Sequence, residues 1–274
     1  MKLAVVGTGL IGASFAKAAR HRGLSSEIVG LDAEAEHAAA ALRLGLIDRV
    51  VDAVPRDAAA VLLAVPVDGI ADWVRRLADH PGTLFDVGSV KAPIIDSLRA
   101  RDSALPPRYV PCHPIAGSER SGPEAADGDL FAGRQTVLTP VPETDPAAID
   151  QVRALWRGVG ADAQLMSAAD HDRIMAVTSH LPHLLAFAYL EQVEAGHLPH
   201  TGGGFDDFTR IGTAAPNLWT SILGLNRGPL TAALAAFKDS LDRFERALAN
   251  DDREALEALI DAAGGRLTRD QKKQ

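Results

Sequence analysis

The chain reads as an α/β domain on a parallel sheet, followed by an all-α domain. Three observations carry this reading. Strand-like and helix-like runs alternate from the N-terminus to about residue 166. A glycine turn, Gly7-Thr8-Gly9-Leu10-Ile11-Gly12, joins the first apolar run to the first helical one. From Ser167 onward strand signals stop and the pattern is helical throughout. The boundary is therefore placed at Ser167, with residues 1–167 as a Rossmann-type dinucleotide-binding domain and 168–274 as a helical domain.

The first apolar run, Lys2–Val6, has strand character, and residues 10–22 read as the helix that follows. Between them each glycine has a separate task. Gly7 permits the tight turn, Gly9 lets backbone approach a pyrophosphate, and Gly12 lets helix pack closely on strand. The helix N-terminus at Leu10 and Ile11 offers free N–H groups and a positive dipole end to phosphate. A second apolar run, Glu27–Leu31, ends at Asp32. A carboxylate there accepts hydrogen bonds from both ribose hydroxyls and repels a 2′-phosphate, so the sequence predicts NAD as the cofactor. A glycine turn alone is weak, but this order and spacing of strand, turn, helix, strand and acid is far more specific.

Further elements follow in the same alternation. Residues 33–44 read as a helix closed by Gly45, 58–65 as a strand buried on both faces, 69–79 as a helix and 82–87 as a strand. Residues 92–100 form a helix with Pro93 in its first turn, where the missing N–H costs little. Residues 109–112 and 135–139 are short strands separated by a long Gly/Pro/Ser-rich loop. A helix opens at Pro146 with Ile149, Val152, Trp156 and Val159 on one face, and 162–166 is the last strand. Ser167 then caps a helical run over 168–194, and Pro182 inside that run predicts a kink or an interruption. After the break at Thr201-Gly-Gly-Gly204, an apolar seam of Leu230, Leu234, Phe237, Leu241, Phe244 and Leu248 recurs in heptad fashion. That seam packs inside the domain, against a second subunit, or both.

Composition narrows the class of protein. The 274 residues are 47% hydrophobic and 23% charged, as in a globular enzyme. A net charge of −8 argues against nucleic acid or an anionic membrane as a partner. Met1 leads straight into a strand, and no apolar run is long enough to span a bilayer, so a cytoplasmic location is expected. The lone cysteine, Cys112, has no partner for an intramolecular disulfide. Its neighbour His113 suggests a thiol pair, but adjacent residues on a strand point oppositely.

Ligands of open parallel sheets bind beyond the C-terminal strand ends. Three segments belong there: Asp86-Val-Gly-Ser-Val-Lys91, His113-Pro-Ile-Ala-Gly-Ser-Glu-Arg-Ser-Gly122, and the junction to the helical domain. His113, leaving a strand for a Gly-rich loop, is a candidate proton acceptor. The bland alternative is a polar loop histidine. His180 and His183 share one helix face near Ser179, which raises metal binding. With no third ligand at a characteristic spacing, no metal is expected, and cleft hydrogen bonding is the better reading. Arg210 either clamps a substrate carboxylate or pairs with Asp206 or Asp207.

Three stretches taken together resemble the prephenate/arogenate dehydrogenase family of tyrosine biosynthesis over nearly the whole chain. They are His113 to Gly122, Thr178-Ser-His-Leu-Pro-His183, and Asp207-Phe-Thr-Arg-Ile211 followed by Pro216 and Leu218-Trp219. The resemblance implies a Rossmann domain, an all-helical dimerisation domain, and a homodimer acting on a small cyclohexadienyl acid. It implies that His113 takes the proton of the ring C4 hydroxyl while hydride leaves C4, and that Ser89 hydrogen-bonds both His113 and that hydroxyl. It further implies that Arg210 binds substrate carboxylate and that His183, Ser179 and Glu119 line the pocket with His180 beside them. Decarboxylation follows because the ring becomes aromatic. Two departures, Asp206 where an arginine is frequent and the loose Gly212-Thr-Ala-Ala215, bear on substrate preference. With no regulatory module after the helical domain, the chain looks like the short form of the family.

Prephenate is favoured over arogenate. His180, His183, Arg120 and Arg210 are read as donors for a pyruvyl group, against Glu119 and Asp207 as carboxylates for an ammonium. β-Hydroxyacid dehydrogenases and imine reductases are the rival enzyme class, and a non-catalytic NAD sensor is the rival outside catalysis. The first would favour a lysine donor in the helical domain, and residues 168–196 contain none. The second has no use for Ser89, His113 and Arg210 together.

Overall fold

The computed structural model describes residues 1–102, 104–118 and 120–266. Along the chain run β1 (Lys2–Val6), α1 (Leu10–His21), β2 (Glu27–Leu31), α2 (Ala35–Arg43), β3 (Arg49–Val50), β4 (Ala60–Leu63), α3 (Ile70–Arg76), β5 (Thr83–Asp86), α4 (Ala92–Asp102) and β6 (Tyr109–Val110). Among the described residues the strands form a six-stranded sheet in the order β3-β2-β1-β4-β5-β6, with every neighbour parallel. This is the doubly wound order whose ligand crevice opens where strand order reverses, beside β1 and β4. The central strands are buried on both faces, β4 and β5 along their whole length and β1 from Leu3 onward. On one face Phe15, Phe85, Phe131 and Trp156 meet edge to face, with ring centroids 4.9–6.2 Å apart.

The strand expected over 109–112 is in fact two. Pro111 has no N–H to continue the parallel ladder, so β6 stops at Val110 and the chain turns into a separate sheet. That sheet comprises β7 (Cys112–Pro114), β8 (Gln135–Leu138) and β9 (Asp162–Leu165), in the order β7-β8-β9. β7 runs antiparallel to β8, placing His113 opposite Val137. Between β8 and β9 lies α5 (Pro146–Gly158), whose first turn is capped by Asp145 accepting from the Ala147 N–H at 2.9 Å. The short β3 carries no apolar pattern and was not anticipated.

The helical half begins with α6 (Ala168–Met175), capped by Ser167, which accepts from the Asp170 N–H at 3.0 Å. As Pro182 predicts, the long helical run is interrupted. A π turn over Ala176–His180 separates α6 from α7 (Leu181–Leu190), in whose first turn the proline sits. α8 (Gly203–Thr209) and α9 (Pro216–Leu225) follow. Trp219 and Ile222 of α9 join the apolar cluster of Val6, Leu63 and Ile70 beside the sheet. Compactness therefore divides the chain at a different place from the change of pattern at Ser167: one unit is Met1–Arg227 and the other Gly228–Gln274.

The second unit holds most of α10 (Arg227–Ala249), then α11 (Arg253–Gly264), which Asp252 caps by accepting from the Ala255 N–H. Leu241 and Leu248 of the heptad seam are 50% and 65% exposed, as is Ile260 of α11 at 58%. The seam is thus only partly covered within its own unit. No helix among the described residues is long and apolar enough to cross a membrane.

Candidate active site

The nucleotide cradle forms where β1 meets α1. Gly7 has φ +91°, and a Cβ there would lie 2.3 Å from the Ala64 carbonyl oxygen. A Cβ on Gly12 would lie 2.0 Å from the Gly7 carbonyl oxygen, so both positions admit only glycine. Gly9 faces open space. It is also the N-cap of α1, with no side-chain cap and no acidic residue in the first turn. Consequently the first N–H groups of the helix, at Leu10 and Ile11, are left for an anion. Asp32 ends β2 facing this loop. Its carboxylate accepts from the Thr8 N–H at 2.6 Å, the Thr8 hydroxyl at 3.1 Å and the Glu34 N–H at 2.9 Å. An open glycine, an uncapped helix start and a fixed carboxylate suit a dinucleotide diphosphate with an unmodified ribose.

His113 lies half-buried on β7, while Cys112 turns its thiol into the core and donates to the Val110 carbonyl. Burial pushes that thiol well above its ordinary pKa, which excludes a reactive thiolate. His113 Nδ1 is 2.8 Å from His171 Nε2, and His171 Nδ1 is 2.7 Å from Asp172 Oδ1. The Asp172 carboxylate also accepts the Lys91 and Ala92 N–H groups, at 2.9 and 2.8 Å, and so caps α4. This chain of contacts assigns the tautomers. The carboxylate accepts a hydrogen bond from His171 Nδ1–H, the unprotonated His171 Nε2 accepts one from His113 Nδ1–H, and His113 Nε2 keeps its lone pair. Burial holds the His113 imidazole well below its ordinary pKa, and the neighbouring His171, Lys91 and His180 reinforce the shift. The result is a neutral imidazole with its acceptor nitrogen free, as a general base requires.

Ser89 departs from expectation. It is half-buried three residues beyond β5, and its hydroxyl makes no hydrogen bond among the described residues. His113 is oriented instead by His171, which sequence reasoning missed together with Asp172. Neither stands in a recognisable motif, and the contact needs α6 folded back against β7.

The helical segments supply the remaining groups. His183 Nδ1 donates to the Ser179 carbonyl at 2.9 Å, and its ring stacks on Trp219 with centroids 3.6 Å apart. Burial lowers its pKa, with the Arg210 charge adding to the effect, so neutral His183 presents an acceptor at Nε2 where a donor was expected. His180 is 1% exposed, its Nδ1 2.9 Å from Asn226 Nδ2, and burial pushes its pKa down to about 4. The π turn carries His180 inward, where its Nδ1 accepts from the Asn226 amide and it braces the network. Asn226 also donates to the Asp172 carbonyl at 2.8 Å. Arg210 is exposed and pairs with neither Asp206 nor Asp207 among the described residues, leaving its guanidinium open to a carboxylate. Ser179 is half-buried and Arg120 exposed, and Glu119 lies outside the described residues.

Comparison with known proteins gives a consistent result. A sequence profile described as "Prephenate dehydrogenase, nucleotide-binding domain" matches residues 15–165, and one described as "Prephenate dehydrogenase, dimerization domain" matches residues 167–262. The chain is 34% identical over 267 residues to the prephenate dehydrogenase of Bacillus subtilis (strain 168), covering 92% of this chain and 71% of that protein. A crystal structure of prephenate dehydrogenase from A. aeolicus, in complex with hydroxyphenyl propionate and NAD+, is similar with a TM-score of 0.89 at 31% identity, covering 97% of each chain. Synechocystis arogenate dehydrogenase is similar with a TM-score of 0.81 at 28% identity, covering 97% of this chain and 98% of that one. The chain belongs to the prephenate dehydrogenase family.

Proposed function

We propose that this chain oxidatively decarboxylates prephenate to 4-hydroxyphenylpyruvate with NAD, working as a cytoplasmic homodimer. Residues 1–167 hold the cofactor, and 168–274 supply substrate contacts and the dimer contact. The observation that carries the reading is the His113–His171–Asp172 chain, which leaves one acceptor nitrogen on a neutral imidazole. NAD, when bound, supplies the hydride acceptor for ring C4. His113 Nε2 accepts the proton of the C4 hydroxyl, and His171 with the Asp172 carboxylate stabilises the imidazolium that forms. Ser89 steadies the hydroxyl, and Arg210 holds a substrate carboxylate with Ser179 and His183 beside it. Oxidation at C4 leaves the ring carboxylate in a vinylogous β-keto relation, and its loss as CO2 aromatises the ring. The protein's contribution is orientation, exclusion of water and one proton acceptor.

The solved NAD+ complex of the A. aeolicus relative supports the cofactor, and the family profile for the second half supports the dimer. Arogenate is the second reading. It is favoured by the likeness to Synechocystis arogenate dehydrogenase and by two exposed carboxylates, Asp206 and Asp207, close in sequence to Arg210. NADH formation with each acid at equal concentration separates the two. The expected result is a higher kcat/KM for prephenate, and a tenfold advantage for arogenate would reverse the choice.

A further inference from the structure

Beneath the candidate site lies a buried ion pair that the proposed reaction leaves without a task. Asp86 ends β5, Lys91 precedes α4, and both side chains are 0% exposed. Lys91 Nζ donates to Asp86 Oδ2 and, at 2.7 Å, to the Cys112 carbonyl. Asp86 in turn accepts from the Cys112 N–H at 2.9 Å, the Tyr109 hydroxyl at 3.0 Å and the Gly88 N–H at 2.9 Å. The peptide groups of Cys112, immediately before His113, are therefore held at both ends by one ion pair.

The need for this arises at Pro111. The ladder to β8 uses the Pro111 carbonyl and the Ile115 N–H, so by antiparallel alternation Cys112 turns its own N–H and C=O away from β8. They face β5 and the start of α4, where Asp86 and Lys91 take them up. A charged pair this deep is costly to desolvate, and a hydrophobic pair would hold the strands together as well. What a hydrophobic pair would lack is the grip on both peptide groups and a fixed positive charge near His113.

We propose that Lys91, paired with Asp86, is a positioning residue for the reaction. It fixes the Cys112 carbonyl on one side of His113, while its own N–H fixes the Asp172 carboxylate at the far end of the His171 relay. Its full burial rules out a direct substrate contact in this structure. The proposal rests on His113 being the base. The charged and titratable groups around His113 are His171 and Asp172 on α6, His180 in the π turn, and Lys91 with its partner Asp86 and the neighbouring Tyr109 and Cys112. Lys91 is the fixed cation among them, and it adds to the depression of the imidazole pKa.

The test uses two neutral exchanges that leave no unpaired buried charge: Asp86→Asn with Lys91→Met, and Asp86→Asn with Lys91→Gln. Glutamine can still donate to the Cys112 carbonyl, and methionine cannot. Two readouts are taken: the pH profile of kcat/KM, and NMR titration of the His113 imidazole in the ligand-free protein, which needs no turnover. In both exchanges the acid limb and the imidazole titration should move up, because Lys91 acts on the His113 ring directly whereas Asp86, lost with it, is not among the charges that shift it. The methionine exchange should also lower kcat by about ten- to a hundredfold at nearly constant KM, as expected of a displaced base. The glutamine exchange should recover most of that loss. An unmoved titration with only a lowered melting temperature, in whichever exchange folds, would reduce the pair to a structural staple and overturn the proposal. So would a raised KM at unchanged kcat. If the wild-type acid limb persists in His113→Asn, the base assignment fails instead, and the NMR titration still reports on Lys91.

Discussion

At the scale of single residues, the proposed reaction asks for one nitrogen without a proton and one carboxylate beside the ribose. His113 meets the first demand because its other nitrogen donates to His171, and because burial keeps the ring neutral well below the usual imidazole range. Asp32 meets the second, held in place by Thr8 and Glu34 before any ligand arrives. Replacing Asp32 by Ser should narrow the preference for NAD over NADP by one to two orders of magnitude, about 1–3 kcal/mol for a charged contact. The ratio of kcat/KM values for the two cofactors measures it, and equal values in the unmodified protein would refute the assignment. His113 and Asp32 were legible in the sequence because each directly follows an apolar run. His171 and Asp172 were not, since their partner lies 58 residues away for His171. His180 and His183 looked equivalent at helical spacing, and only the local winding separates a buried brace from a half-buried acceptor.

At the scale of elements, two interruptions build the site, and both are caused by proline. Pro111 ends the parallel ladder and sends His113 into the second sheet. Pro182 lies in the first turn of α7, after the π turn that swings His180 inward. The sequence announced the second break but merged the first into one strand, because a short apolar run gives no sign of which sheet it joins. The α6–α4 contact is the other element-level device. Asp172 caps α4 with one carboxylate that also orients His171, so one residue serves stability and catalysis together. In Asp172→Asn the α4 amides keep an acceptor, but a donating amide can face His171 Nδ1 and reverse the tautomers along the relay. Activity should fall by about 10²–10⁴ in kcat, while NAD affinity stays within a few-fold and stability drops by about 1–2 kcal/mol. Steady-state kinetics beside thermal unfolding checks both halves, and full activity in this variant would remove the relay from the account.

At the scale of the whole molecule, the sequence gives the parallel-sheet half and the helical half, but not how far the sheet's apolar cluster extends. Pattern changes at Ser167, whereas compactness changes at Arg227, because Trp219 and Ile222 pack into the cluster beside the sheet. A helical period says which face is apolar and nothing about what covers it. The same holds for the seam on α10, where Leu241 and Leu248 stay exposed in a single chain. In the proposed dimer a second copy covers them. Replacing both by Glu should leave the single chain folded and shift sedimentation from dimer to monomer, and a wild-type protein that sediments as a monomer would contradict the dimer.

The central claim is that His113 accepts the substrate proton in a neutral, depressed-pKa state. Its folded pKa lies below the ordinary value near 6.5, so the base form persists to more acid pH than a free imidazole allows. The most direct measurement is the pH dependence of kcat/KM for NADH formation from prephenate, in the wild type and in His113→Asn. The wild type should stay active below pH 6.5 and then lose activity as the ring takes up its proton. The variant should bind NAD normally, lose about 10²–10⁴ in kcat and lose the acid limb altogether. Near-normal turnover in His113→Asn, with the acid limb retained, would contradict the account.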